Sequence, residues 1–155
     1  MDDAAIARAI HLFGVVLWIG GVGFVTTVLL PAVRRMERPE DRVAFFEAIE
    51  RRFAWQAKVT TLLVGLSGFY LVEIWDLWDR FLHVEYWWMH AMVLVWAIFV
   101  LMLFVAEPLV LHRWFLTRAA KKPIQTFRLI QIMHWTLLIV SLVTVVGATM
   151  GSHGG

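Results

Sequence analysis

No cysteine occurs anywhere in the chain, so disulfides, thiolate metal ligands and thiol nucleophiles are all excluded. Charge is scarce too: only 17% of the 155 residues are Asp, Glu, Lys or Arg. A soluble domain of this size cannot present so little charge and still hide the rest. What is there instead is apolar: 61% hydrophobic residues, nine tryptophans and a mean hydropathy of +0.73. The composition is that of an integral membrane protein, and the length suits one bundle with no separate soluble domain. The sequence pI near 9.4 does not point to nucleic acid, because the basic residues gather where membrane topology places them.

Four apolar stretches stand out, over residues 4–31, 53–75, 84–112 and 124–150. Each exceeds the roughly 20 residues that cross a hydrocarbon core as a helix. The first is too long, and too poor in leading basic residues, for a cleaved signal. The expected fold is all-α, a four-helix membrane bundle forming a single domain over residues 1–155. Residues 39–52 begin with Pro39 and then acids, a helix-start pattern, and predict an amphipathic segment along the inner interface.

Orientation follows from Lys and Arg. Of fourteen, six lie between Val33 and Arg52 and five between Arg113 and Arg128. The positive-inside tendency therefore sets those two loops in the cytoplasm and both termini outside. The middle loop, Trp75 to Tyr86, carries Asp76, Asp79 and Glu85 among tryptophans, the pattern of an outer interface belt. A multi-pass protein of a bacterial inner membrane is the expected localisation.

Histidines inside such spans call for an explanation, because ionisable groups in hydrocarbon are rare and costly. His11 shares a helical stripe with Gly14, Trp18 and Gly21. Small residues on that stripe leave room for a neighbouring helix, or for something flat and large. The first and third spans also read alike. Each has an early histidine (His11, His90), a tryptophan (Trp18, Trp96), a late proline (Pro31, Pro108) and then a basic loop. Such a pattern suggests a duplicated helical hairpin. By helix rise, His11 lies about 10 Å and His90 about 12 Å outward of their span midpoints, so the two imidazoles share a level. His134 falls about 5 Å inward of its own midpoint.

Three readings of this pair stay open. A haem iron between two helices takes one ring nitrogen from each, with Arg8 one turn before His11 in reach of a propionate. A copper site is the rival, drawing on Met89, His90, Met92, Met150, His83, His11 and His153. The third reading is a histidine hydrogen-bonded across a helix contact. Lys58, Thr60, Thr61, Glu107, Gln131 and His134 lie in the inner half, where a polar network or proton path is one reading of them. Lys58 and Glu107 are expected to snorkel to the interface. His134 is expected as a satisfied core histidine, with a sixth ligand or a quinone contact as the alternative.

His11, six intervening residues, Trp18 and then Gly20-Gly21 resemble the first helix of the copper-resistance D (CopD) type membrane proteins. The same His-to-Trp spacing is similar to that of the HemJ-type protoporphyrinogen oxidases. The stretch from Arg52-Phe53 through Gly65-Leu-Ser67-Gly68 is also in keeping with CopD-like proteins. From the HemJ side the resemblance implies a membrane haem protein with His11 as an axial ligand. From the CopD side it implies copper handling. The reading carried forward is a small b-type cytochrome with haem b on His11 and His90, and His134 as a lesser metal candidate. Arg8, Gly14, Trp18 and Gly21 line the cofactor site in that reading. Electrons pass between a quinone or redox partner protein and an outer acceptor. A copper-handling protein and a non-catalytic membrane subunit are the alternatives, and a second copy of the chain is a candidate partner for so small a bundle.

Overall fold

The computed structural model describes residues 3–154, without the side chains of residues 39, 40, 110–112, 120 and 152–154. The His153 side chain, one of the copper candidates, lies outside the described residues. The first span is α1 (Asp3–Phe24), which passes through a π-helical segment (Val25–Leu29) into α2 (Leu30–Arg35). The second is α3 (Pro39–Ile74), one continuous helix of 36 residues, about 54 Å by helix rise. It includes the segment 39–52 read as amphipathic. Two 3-10 turns (Trp78–Leu82 and Val84–Tyr86) lead to α4 (Trp87–Val100), a second π-helical segment (Leu101–Leu111) and α5 (His112–Lys121). The last span is α6 (Pro123–Gly154). Four helices are long and apolar enough to cross a membrane, and no strand occurs among the described residues.

The bundle is built as two hairpins, α1 against α3 and α4 against α6, closed by α1–α6 and α3–α4 contacts. Two buried clusters hold it. Trp18, Ile19, Val22, Val64, Val95, Phe99 and Leu138 fill the middle. The second cluster sits at the basic end, around Phe46, Phe115 and Phe127. Their ring centroids lie 5.4, 5.6 and 5.7 Å apart. Edge and tilted contacts of this kind add about 0.5–1.5 kcal/mol per pair beyond area burial. They fix the start of α3, α5 and the start of α6 to one another. Many large apolar side chains outside these clusters are exposed.

Both odd-numbered spans depart from α geometry at a proline. Ahead of Pro31 the backbone changes to i→i−5 bonding, with the Leu30 N–H donating to the Val25 carbonyl. Next in that register, Pro31 would serve the Thr26 carbonyl but has no N–H to give. Gln131 on α6 substitutes for it: its Nε2 donates to the Thr26 carbonyl at 2.7 Å, fully inside the bundle. Gln131→Leu should therefore strand a buried acceptor and cost about 1–3 kcal/mol. Unfolding in mild detergent measures it. The cost should shrink in a Pro31→Ala background, where the backbone regains its own donor; an undiminished cost there would refute the substitution.

At the other end, α3 stops in a Schellman cap. Asp76 takes the left-handed seat (φ 48°), the Leu77 N–H donates to the Val72 carbonyl at 2.9 Å, and Asp76 N–H to Glu73 at 3.2 Å. The turn that follows folds back over the start of α4, with Trp78 Nε1 donating to Glu73 at 2.9 Å and Arg80 stacked on Tyr86.

Candidate functional site

His11 is seated on α3 rather than open to the bundle centre. Its Nδ1 lies 3.0 Å from the Val64 carbonyl and 3.2 Å from Ser67 Oγ. A carbonyl only accepts, so Nδ1 carries the proton and the neutral ring bears its lone pair on Nε2. Ser67 supports this assignment, since its own hydroxyl donates to the Leu63 carbonyl at 2.5 Å and leaves an oxygen lone pair for the imidazole. Among the described residues, Nε2 takes no hydrogen bond. The seat exists because of Gly68. A Cβ there would come within 3.1 Å of His11 Cε1 and 3.3 Å of Nδ1, so any larger residue would press the ring back by a few tenths of an ångström. Ser67 and Gly68 thus give His11 a polar anchor and a close seat on α3.

The stripe on α1 itself is filled by α3. A Cβ on Gly14 would meet Val64 Cγ2 at 2.8 Å, and one on Gly21 would collide with the Phe53 ring. Both glycines serve a close helix contact, one of the two uses expected for them. Trp18 is buried in the middle cluster, edge-on to Phe99 with centroids 4.9 Å apart. Its Nε1 is buried without a partner among the described residues, as are Thr61 Oγ1 and Gln131 Oε1. Arg8 is exposed one turn from His11.

His90 is placed differently. It is exposed, with Nδ1 3.2 Å from the Tyr86 carbonyl and Nε2 3.0 Å from the Phe81 carbonyl, and its ring stands edge-on to Phe81. The turn 75–86 therefore engages both ring nitrogens while leaving the side chain exposed. Its depth is nonetheless near that of His11. Trp96 lies against Gly65 on α3, with its indole N–H donating to the Thr61 carbonyl at 2.9 Å. His90 is six residues from Trp96 toward the turn, and the His11 seat at Gly68 is three residues from Gly65 the same way, a difference of about 5 Å by helix rise. On α6 the matching seats hold indoles: Trp87 lies over Gly147 and Trp88 over Gly151.

His134 is half-buried and its Nδ1 is 2.9 Å from the Ile130 carbonyl one turn back on its own helix. The copper candidates are dispersed, with Met89 buried, Met92 half-buried and Met150 exposed. No group of three or more His, Asp and Glu side chains comes together among the described residues. Lys58 and Glu107 pair across α3 and the third span at 3.2 Å, each about a quarter exposed (28% and 26%). Pairing lets each charge offset the desolvation of the other at a depth where neither is fully in water.

Spacing along α1 pointed to His11 but not to its partners. Val64 and Ser67 carried a signal, small residues flanking a serine in the second span, which reads equally well as plain helix packing. No family model, curated protein or solved structure matches the chain.

Proposed function

We propose that the chain is a multi-pass membrane b-type cytochrome, with His11 as the ligand that carries the haem. The observation that supports this most is the imidazole held through Nδ1–H by the Val64 carbonyl. Metal-ligating histidines almost always donate their second ring nitrogen in this way, which fixes the tautomer and raises the basicity of the ligating nitrogen. The donor set fits haem at His11: a neutral ring, an anchored Nδ1–H and an Nε2 lone pair with no competing hydrogen bond.

His90 is the second ligand in this reading, and its fit depends on exchange. Its Nε2 must leave the Phe81 carbonyl, which the exposed turn 75–86 can surrender to water without stranding a buried group. Bound haem, held by His11 and His90, would supply one-electron transfer. The chain's own residues orient the imidazole (Val64, Ser67, Gly68), exclude water with Trp18 and Phe99, and offer Arg8 to a propionate at the surface. A quinone or a redox protein is the electron partner, and a bacterial inner membrane the setting.

A second reading has an observation of its own. Gly14 and Gly21 are filled by Val64 and Phe53, so His11 also serves as a clip between α1 and α3 in a non-catalytic membrane subunit. Copper handling is the less favoured reading, since Met89 is buried while its neighbour His90 is exposed.

Both termini outside completes the proposal, and it is tested by labelling. Cysteine at Asp79 should react with an impermeant thiol reagent in intact cells, and cysteine at Arg38 should not. The reverse pattern would overturn the orientation, and with it the placing of His11 and His90 toward the outer face.

A further inference from the structure

The basic end of the bundle holds a second feature, independent of the histidines. A groove of about 590 Å³ runs beside α5, with Leu109 at one end and Arg113, Trp114, Arg118, Lys121 and Lys122 along it. We propose that this groove binds the headgroup of an anionic phospholipid. The helix is two-faced: Phe115 and Ala119 are buried in the aromatic cluster, and the cations are turned out. Arg113 and Lys121 fall on one row with Thr117 between them, while Trp114, Arg118 and Lys122 form the adjacent row. The Arg118 guanidinium stacks on Trp114, 5.3 Å from the ring centroid, which presents its charge beside an aromatic plane suited to the interface. Leu109 is 68% exposed where the span ends, giving an acyl chain an apolar foot below the charged row.

Topology alone does not account for this pattern. Orientation counts Lys and Arg and is nearly indifferent to Asp and Glu. The first basic loop behaves that way, its six cations between Val33 and Arg52 interspersed with five acids. The second does not: after Glu107 no acid occurs in the sequence, while five cations follow. A groove of one sign, apolar at its membrane end, matches a lipid phosphate with its chains, and basic pockets beside membrane helices are where such headgroups bind.

Thr117→Glu tests the idea without touching a single Lys or Arg, so the topological signal is kept. Thr117 is exposed, and glutamate is a better helix former there. The purified full chain is mixed in detergent with diphosphatidylglycerol or phosphatidylcholine, and bound lipid is counted by native mass spectrometry. The wild type should retain diphosphatidylglycerol and little phosphatidylcholine, and Thr117→Glu should lower the retained fraction at least about tenfold with an unchanged melting profile. Arg118→Gln with Lys121→Gln should do the same. Equal retention by Thr117→Glu, equal retention of the zwitterionic lipid, or displacement of the lipid by millimolar inorganic phosphate would each overturn the proposal. The last would indicate a free-phosphate site.

Discussion

His11→Ala is expected to remove haem from the purified protein, with the low-spin spectrum gone and the haem-to-protein ratio reduced at least about tenfold. The expectation rests on an imidazole whose Nδ1–H is pinned at 3.0 Å by a backbone carbonyl of the neighbouring helix and whose Nε2 takes no hydrogen bond among the described residues, whereas His134 is bonded to its own helix. Alanine deletes the ligating nitrogen and leaves a gap against Gly68 that the small side chain cannot fill. It also deletes a hydrogen bond worth about 1 kcal/mol, so some loss of stability accompanies the change under either reading of His11. Added imidazole separates the two. If the gap at Gly68 admits free imidazole as a ligand, part of the spectrum returns, whereas a mere clip between α1 and α3 predicts no spectral response. His90→Ala should convert the spectrum from six-coordinate low-spin toward five-coordinate high-spin or lose haem. His134→Ala, with its ring bonded to its own helix, should leave it largely intact.

A second large effect is expected at Gly65, where the account stands on packing alone. Any Cβ there would come within 2.6–2.7 Å of three atoms of the Trp96 indole, a ring that cannot bend away at its tip. Gly65→Leu must push Trp96 off α3, breaking its bond to the Thr61 carbonyl and its edge contact with Phe69. Overpacking of this sort costs about 1–3 kcal/mol, and the lost hydrogen bond roughly 1 more. Reversible unfolding in detergent should show the sum, whereas Gly20→Leu, with open space around its Cβ position, should be nearly silent. Pairing Gly65→Leu with Trp96→Ala should recover much of the loss. If the two changes simply add, the contact is not where the destabilisation arises.

Much of the architecture was legible in the residues, because helices long and apolar enough to cross a membrane announce themselves by length and hydropathy. The four spans needed no tertiary information, and neither did the α-helical continuation of the second span back to Pro39. The prolines were visible, but their consequence was not. That Pro31 shifts the backbone to π geometry, and that Gln131 answers the carbonyl it strands, depends on which helix lies opposite. The histidines show the same division. Period and depth singled out His11 and set His90 at nearly its level, whereas the bonds each ring makes come from neighbours 53 and nine residues away in sequence. Lys58 and Glu107 show the same limit: each charge was visible in its own helix, but the countercharge 3.2 Å away lies on another.

The most direct test of the central claim is the visible absorption spectrum of the wild-type protein, purified in detergent from cells supplied with haem. The account predicts a Soret band with sharp α and β bands on reduction, from haem in near-stoichiometric amount. A colourless protein, folded and carrying no haem by pyridine extraction, would contradict it and leave His11 as the hydrogen-bonded clip between α1 and α3.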